Sequence, residues 1–206
     1  MTKNFSKLLK GYYKFRDKYV HGSKAIMKQL ADDGQKPEIM IVACCDSRVD
    51  PALILQCEPG DLFVVRNVAN IIPPYNKAPG DHGISAALEF GVNMLKVKHL
   101  IILGHSQCGG IETLLRGDDK NSDFLHDWLD TIAVDLSEIK STNQAVKLAL
   151  QQSLGHCMQF PWIAKNVQEG SLIIHLWFFD IFKGSIFEYD PIKKLYRLLR
   201  APKVAR

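Results

Sequence analysis

The sequence predicts an α/β fold, in which a mostly parallel four-stranded sheet with an antiparallel edge strand is flanked by helices. A helical arm is expected before the sheet. Apolar runs of strand length alternate with helical segments, which is typical of a parallel sheet wrapped by helices. The chain has 206 residues, of which 47% are apolar and 23% charged. This length and composition suit one core, so we expect residues 1–206 to form a single domain.

The N-terminal arm is predicted over residues 1–33 as two helices. An apolar stripe at helical spacing marks the first helix, Gly22 and Ser23 interrupt it, and a shorter helix ends near Gly34. The stripe consists of Phe5, Leu8, Leu9, Tyr12, Phe15 and Tyr19.

Four strands of the parallel sheet are predicted after the arm. Residues 38–44 and 99–105 are continuous apolar runs, the pattern of strands that are covered on both faces. The other two strands are expected at residues 62–67 and 171–179. Residues 185–190 follow a short turn and are predicted to be the antiparallel edge strand.

Helical segments are predicted between these strands. Asp50 is a suitable N-cap for a helix at residues 50–56, with Pro51 at its first position. Further helices are expected at residues 82–95 and 108–116, and as two patterns within 122–158 that separate near Ser141.

Composition argues against several classes of protein. The net charge of +4 is mild, and no dense basic patch with interleaved aromatic residues indicates nucleic-acid binding. No window approaches the ~18 apolar residues of a membrane span. Five cysteines without framework spacing argue against a disulfide-built secreted fold. We therefore expect a cytoplasmic protein without membrane or nucleic-acid partners.

Cysteine and histidine side chains are predicted to meet at one edge of the sheet. One strand ends at Cys44, another ends at His105, and Cys108 follows three residues later. Ligands bind at the carboxyl ends of parallel strands, and thiolate with imidazole favours zinc. Three protein ligands leave a fourth position open, as in catalytic zinc sites. For either segment alone, ordinary packing of cysteine and histidine remains an alternative.

Of the adjacent pair, Cys44 rather than Cys45 is predicted to bind the metal. Residues at i, i+2 and i+4 of a strand share a face, so Cys44, Asp46 and Arg48 should stand together. The opposite choice would leave the ligand without a neighbouring carboxylate.

Two motifs resemble those of the β-class carbonic anhydrases, in particular their plant-like branch. Cys-x-Asp-Ser-Arg at residues 44–48 precedes His-x-x-Cys-Gly-Gly at 105–110, with PGDLFVVRNVAN at 59–70 between them. The resemblance runs from about Gln35 to Arg116 and continues more weakly towards the C-terminus.

The resemblance implies one Zn²⁺ per chain on Cys44, His105 and Cys108, and reversible hydration of CO2 to bicarbonate and a proton by a zinc-bound hydroxide. Asp46 would orient the hydroxide or become a conditional fourth ligand, and Arg48 would hold it off the metal. The family also implies an obligate homodimer that often pairs into a homotetramer. Together with the aromatic stripe, this predicts that the arm packs on the partner subunit.

Groups around the three ligands are expected to affect how strongly the metal acidifies its bound water. Two thiolates neutralise the charge of zinc and should weaken its acidification of water relative to three histidines, so outer groups should compensate. Cys108 opens a helix, whose dipole favours its thiolate. Gly109 and Gly110 would let backbone N–H groups approach bicarbonate, which makes Gly109 a candidate substrate-binding residue.

A substrate pocket can be carried over from the resemblance. Gln35 stands nine positions before Cys44, as in the plant-like branch, and Phe63 and Val68 match its apolar lining. Phe90 stands where that branch usually has tyrosine, so the ring is kept and a hydroxyl is lost. Packing in the core or in loops is the alternative for these residues.

A regulatory bicarbonate pocket, known in some family members, is not expected. It uses a tryptophan three residues before the first zinc cysteine, where this chain has Ile41. Arg66 remains but suits a structural role.

Two other functions remain open. A sister hydrolase on the same scaffold would act on CS2 or COS through a narrower access path. A non-catalytic zinc module would have a closed fourth position, and it would need neither Asp46 nor Arg48.

Overall fold

The computed structural model describes residues 2–78, 80, 82–135, 139 and 141–200, and within them six strands form one sheet. The strands are β1 (Ile39–Cys44), β2 (Leu62–Asn67), β3 (His99–His105), β4 (Ile173–Asp180), β5 (Ser185–Asp190) and β6 (Leu195–Leu198). Their order in the sheet is β2-β1-β3-β4-β5-β6. The first four are parallel because helical connections separate them in the chain, whereas β5 and β6 are added as antiparallel hairpins.

The predicted fold is confirmed, and the sheet is one strand wider than expected. β5 pairs antiparallel with β4 as predicted, but β6 pairs with the outer side of β5 and is therefore the edge. The turn between β5 and β6 contains Lys194 in the left-handed conformation, with φ 51°. β6 has only four residues and no continuous apolar run, so the sequence gives it no clear strand pattern.

Eight α-helices within the described residues connect and flank the strands. They are α1 (Lys3–Arg16), α2 (Met27–Asp33), α3 (Pro51–Leu55), α4 (Gly83–Glu89), α5 (Gly109–Arg116), α6 (Leu125–Asp130), α7 (Thr142–Cys157) and α8 (Pro161–Gln168). π-helical turns continue α1 to His21 and α4 to Met94. The two patterns predicted within residues 122–158 correspond to α6 and α7; residues 136–138 and 140 lie outside the described part of the chain.

Local capping explains where several helices begin. The Asp50 side chain accepts the Leu53 N–H at 3.2 Å, and Pro51 is the first residue of α3, as predicted. A second proline, Pro161, occupies the first turn of α8, a helix that the sequence analysis did not predict.

The central strands form the core of the molecule. Met40–Cys44 in β1 and Leu100–His105 in β3 are buried throughout, as expected for strands that are covered on both faces. α7 packs directly on β3, because a Cβ at Gly104 would come within 2.9 Å of Val146 and 3.0 Å of Leu150. This packing fixes the carboxyl ends of β1 and β3 side by side.

The N-terminal arm contrasts with this core. None of the fourteen residues of α1 is buried, and Phe5, Leu8 and Tyr12 are 50%, 69% and 55% exposed. After α1 the chain returns to the body, where the Tyr19 hydroxyl donates to Glu58. Among the described residues, no helix is long and apolar enough to cross a membrane.

Candidate metal centre

Three buried side chains converge at the carboxyl edge of the sheet. Cys44 ends β1, His105 ends the adjacent parallel strand β3, and Cys108 immediately precedes α5. One ligand atom from each residue lies within 4.8 Å of the other two, and the two sulfur atoms are 3.9 Å apart. A Zn–S bond is about 2.3 Å long, so two sulfurs of a tetrahedral site are separated by about 3.8 Å. The spacing of these donors fits a single zinc ion.

The histidine ring is oriented by its neighbours. His105 Nδ1 lies 2.9 Å from the Ser106 carbonyl oxygen, which requires Nδ1 to carry the proton and donate it. Ser106 is itself held by β4, since its N–H donates to the Phe179 carbonyl at 2.9 Å and its Oγ accepts the Ile181 N–H at 2.9 Å. The Nε2 lone pair therefore faces the cysteine sulfurs.

His105 Nε2 has no hydrogen-bond partner, although it is completely buried, and it is the one such side-chain atom found among the described residues. A buried polar atom without a partner is costly to stability, and native proteins rarely leave one unsatisfied. A cation beside two thiols would satisfy it. The donor set therefore fits a metal ion.

The two thiols are electrostatically coupled. A hydrogen bond from Cys108 lowers the pKa of the Cys44 thiol well below its usual range, against the opposing effect of burial. The pKa of Cys108 is raised, first because its thiol is hydrogen-bonded to the Cys44 sulfur and then because it is buried. Once one of the two cysteines is a thiolate, ionisation of the other is unfavourable. A cation that replaces the proton between the two sulfurs would allow both to be thiolates.

Backbone N–H groups also stabilise negative charge on the sulfurs. The N–H groups of Asp46 and Ala69 act to lower the pKa of Cys44, and those of Gly110 and Ile111 act to lower the pKa of Cys108. The donors to Cys108 belong to the start of its own helix, α5, as the helix-dipole argument predicts.

A carboxylate stands beside the cluster and is held by an arginine. Arg48 donates from N and Nε to Asp46 Oδ1, both at 2.9 Å, and from Nη2 to Asp46 Oδ2 at 2.7 Å. The bidentate pairing holds the pKa of Asp46 far below its usual range. Asp46 Oδ2 is 4.0 Å from His105 Nε2, so the carboxylate faces the site while its oxygens remain bound to arginine.

Gln107 supports this pair and was missed from the sequence. Its carbonyl accepts Arg48 Nη2 at 3.1 Å, and its backbone is left-handed, with φ 55°. The Gln107 N–H donates to Asn143 Oδ1 of α7 at 3.3 Å. The one sequence feature that could have indicated Gln107 is its position between His105 and Cys108.

Arg66 supports the loop that carries the first cysteine. It donates to the carbonyls of Cys44 at 2.9 Å and Asp46 at 2.8 Å, and it forms an ion pair with Asp50 at 3.0 Å. These bonds are the structural role that the sequence suggested. Ile41, three residues before Cys44, is fully buried.

The adjacent cysteines face different surroundings. Cys44 is 5% exposed and points into the cluster, whereas the Cys45 side chain is exposed to solvent. The strand alternation used in the sequence analysis therefore continues to the end of β1.

The residues proposed for the substrate pocket fall into two groups. Val68 lies beside the cluster, since a Cβ at Gly110 would come within 2.8 Å of its Cγ1, and Gly109 is exposed with open space next to it. Phe63 is instead at the other end of the sheet, paired with Met40, with its ring 5.8 Å from that of Phe90.

Gln35 lies at that far end too, because it precedes β1 and is exposed. Four residues of extended strand from Met40 to Cys44 span about 13 Å. A single chain therefore does not bring Gln35, Phe63 and Phe90 to the metal cluster.

Fold and site together define an α/β protein with a candidate metal centre at the carboxyl edge of its sheet. The family described as carbonic anhydrase matches residues 39–186. A chloroplastic beta carbonic anhydrase 5 of Arabidopsis thaliana is 37% identical over 174 residues. That match covers 79% of this chain but only 55% of the plant protein.

Solved structures give the same result. The beta-carbonic anhydrase CcaA is 32% identical, with a TM-score of 0.83 over 96% of this chain and 100% of that one. A tetrameric beta-carbonic anhydrase of the ascomycete Sordaria macrospora is 31% identical, with a TM-score of 0.77 over 91% of this chain and 97% of that one. The chain belongs to the carbonic anhydrase family, in its β class, which is a family of enzymes.

Proposed function

We propose that the protein catalyses the reversible hydration of CO2 to bicarbonate and a proton, with one Zn²⁺ held by Cys44, His105 and Cys108. The observation that carries this proposal is the buried, unpartnered His105 Nε2 facing two coupled sulfurs. When bound, zinc is a Lewis acid that lowers the pKa of coordinated water, to about 7 in the known three-histidine carbonic anhydrase site, and so makes hydroxide available.

In this proposal Asp46 accepts a hydrogen bond from the attacking oxygen and orients it. Asp46 is ionised at neutral pH, which lies well above the ordinary pKa of an aspartate, and Arg48 lowers its pKa further. Three hydrogen bonds from Arg48 oppose its movement onto the metal, where it would act as a conditional fourth ligand. Arg48 thus determines whether the carboxylate assists the reaction or blocks it.

Gly109 is proposed as a substrate-binding residue, where bicarbonate approaches the start of α5. Gly109 has no side chain to fill the space beside the cluster, and the first turn of α5 directs its N–H groups towards negative charge. Val68 supplies an apolar wall that suits CO2, a molecule without charge or dipole.

We propose that a second copy of the chain completes the substrate pocket. Gln35, Phe63 and Phe90 are remote from the cluster of their own chain, and Phe90 is 44% exposed. A homodimer that sets this apolar surface against the partner's metal centre would assemble the lining, and two dimers could form a tetramer.

The same assembly accounts for the arm. We propose that residues 1–33 belong to the single domain of residues 1–206 and that the apolar stripe of α1 packs on the partner subunit. Support comes from its exposed aromatic side chains, which one chain leaves uncovered. Deletion of residues 1–33 should give insoluble or inactive protein, whereas a soluble, active monomer would contradict the arm's role.

Metal-binding thiols must remain reduced, and Cys45 is exposed beside them. We therefore propose the cytoplasm, a reducing compartment, as the location.

A substrate comparison tests the activity. Zinc-loaded protein and protein stripped with a chelator should be assayed for CO2 hydration by stopped flow and for hydrolysis of CS2 and COS. We expect zinc-dependent hydration of CO2 that exceeds either hydrolysis. Hydrolysis of CS2 or COS without CO2 hydration would identify a sister hydrolase, and bound zinc with none of these activities would identify a non-catalytic module.

A further inference from the structure

The guanidinium of Arg48 is held along two of its edges. Its Nε and Nη2 meet the Asp46 carboxylate, at 2.9 and 2.7 Å. The neighbouring edge meets Gln107, because Nη2 also donates to the Gln107 carbonyl at 3.1 Å and Nη1 lies 3.5 Å from the Gln107 side-chain oxygen. A rigid, planar guanidinium with acceptors on two edges keeps one orientation. The direction of the Gln107 carbonyl therefore contributes to the pairing of Arg48 with Asp46.

That carbonyl depends on an uncommon backbone conformation. Gln107 is left-handed, with φ 55°, a region that residues with a Cβ seldom adopt. Gln107 is also exposed, so burial does not hold it in this conformation. A contact from outside the loop is needed to keep its carbonyl directed at Arg48.

Asn143, in the first turn of α7, provides such a contact. Its Oδ1 accepts the Gln107 N–H at 3.3 Å. Three and seven residues further along α7, on the same face, Val146 and Leu150 pack against Gly104 of β3. The core of the sheet therefore fixes where the Asn143 side chain stands.

We propose that Asn143 is a positioning residue for the candidate active site, which holds Gln107 in its left-handed conformation so that the Gln107 carbonyl keeps Arg48 on Asp46. The inference rests on the proposed role of Asp46 in CO2 hydration. Asn143 acts through two intervening residues and is therefore not a catalytic residue. In this way the packing of α7 on the sheet reaches the carboxylate beside the metal centre.

Loss of this contact has a consequence for the reaction. Without the Asn143 acceptor, Gln107 relaxes from its left-handed conformation and its carbonyl turns away from Arg48. Arg48 then releases Asp46 more often, and Asp46 Oδ2 is only 4.0 Å from His105 Nε2. The freed carboxylate is able to move onto the metal and block the open position. We expect kcat to fall about threefold, as for the loss of one hydrogen bond.

The exchange of the Arg48 Nε–H with water tests the inference without recourse to activity. A guanidinium N–H that donates to a carboxylate exchanges slowly, because it must first leave its acceptor. In zinc-loaded, ¹⁵N-labelled protein the Arg48 signal is identified by its absence from Arg48→Lys. Asn143→Ala should raise the exchange rate of this signal about threefold or more and lower kcat about threefold, with zinc content unchanged.

A conservative variant and a matched control separate positioning from a general loss of structure. Asn143→Asp keeps an acceptor oxygen at the same place, so the slow exchange of Arg48 should be retained. Asn166→Ala is the control. Asn166 also bonds the backbone, from Nδ2 to the Trp162 carbonyl at 2.6 Å, but it lies in α8, so the Arg48 signal and kcat should not change.

A folded Asn143→Ala protein in which the Arg48 Nε–H exchanges at its original rate would overturn the inference. A raised rate in Asn143→Asp would do the same, because the acceptor would then not be the cause. If Asn143→Ala does not fold, Asn143→Ser, whose shorter side chain withdraws the acceptor, should raise the rate, and an unchanged rate would again overturn the inference. Absence of CO2 hydration in the unaltered zinc-loaded protein would instead contradict the proposed function, on which the inference rests.

Discussion

At the carboxyl end of β1, contacts within one chain fix every side chain of the candidate metal centre. Cys44 is buried beside Cys108, and Arg48 holds Asp46 by three hydrogen bonds. At the amino end of the same strand, Phe63 and Phe90 stack on each other at an exposed surface. The two ends differ in how much of the proposed active site a single chain completes.

This difference predicts that metal binding and catalytic activity can be lost separately. In the proposed enzyme, metal binding would depend on residues that are held by the core of one chain, whereas the lining of the substrate pocket would depend on assembly. If this comparison is correct, some variants will lose the metal, and others will keep it and lose activity.

Replacement of the buried cysteine should have the largest effect. Cys44→Ser removes one of three proposed ligands, so we expect loss of zinc and a fall in CO2 hydration of at least about 100-fold. Cys45→Ser is the matched control, because its side chain is exposed, and it should retain zinc and turnover. Zinc analysis of both purified variants checks the assignment, and the reverse pattern would refute it.

A charge at the amino end should break the assembly and leave the metal centre intact. Phe90→Arg places a cation in the proposed contact, so we expect a monomer by light scattering, one zinc per chain and strongly reduced hydration. Phe182→Arg changes a phenylalanine that is 95% exposed elsewhere and should have little effect. A monomeric Phe90→Arg protein with unchanged activity would show that one chain suffices.

Removal of the arginine beside the metal centre should reduce activity without loss of zinc. In Arg48→Ala the Asp46 carboxylate loses the two hydrogen bonds from the guanidinium and keeps the one from the backbone N–H of residue 48. The pKa of Asp46 rises towards the usual value, and the carboxylate becomes freer to bind the metal. We expect hydration to fall about 10–100-fold at every pH, with zinc content unchanged. Activity equal to that of the unaltered protein would exclude Arg48 as the group that holds Asp46 off the metal.

A second acid–base pair, formed by Asp119 after α5 and His126 in α6, should affect only stability. His126 Nδ1 lies 2.9 Å from buried Asp119 Oδ2, which raises the pKa of His126 and lowers that of Asp119. The raised pKa means that this stabilisation is complete below the ordinary histidine value of about 6.5 and is lost as the pH rises through the folded-state value. Because the pKa of Asp119 is lowered, its contribution is lost instead at acid pH.

His126→Asn should therefore lower the melting temperature slightly, most clearly near pH 5–6, where both partners are charged in the unaltered protein. The difference should shrink as the pH rises above the raised pKa. Thermal melts across this range test the sign, and zinc content and hydration should not change. A loss of zinc in this variant would mean that the pair belongs to the metal centre.

Much of the fold could be predicted because the central strands are covered on both faces and therefore have continuous apolar sequences. β1 and β3 were predicted to within one residue of their observed ends. β6 was not predicted, because an exposed four-residue edge strand needs no apolar pattern and is defined by its pairing with β5. Helix α8 was also not predicted, because the proline in its first turn is the main sequence signal for it.

Some residues of the candidate site could likewise be predicted from the sequence, and others could not. Cys44, His105 and Cys108 could be found because strand ends and ligand chemistry both appear in the sequence. The role of Gln107 could not, because it depends on a left-handed backbone conformation that residue types other than glycine do not reveal. The distance of Phe63 from the cluster is a property of strand register, and it becomes visible only when the sheet is assembled.

The most direct test of the central claim combines zinc quantification with stopped-flow CO2 hydration across the neutral pH range. We predict one zinc per chain and a hydration rate that rises with pH and falls steeply below neutrality, because the attacking water must lose a proton. One zinc per chain without hydration activity at high pH would contradict a catalytic role for the metal.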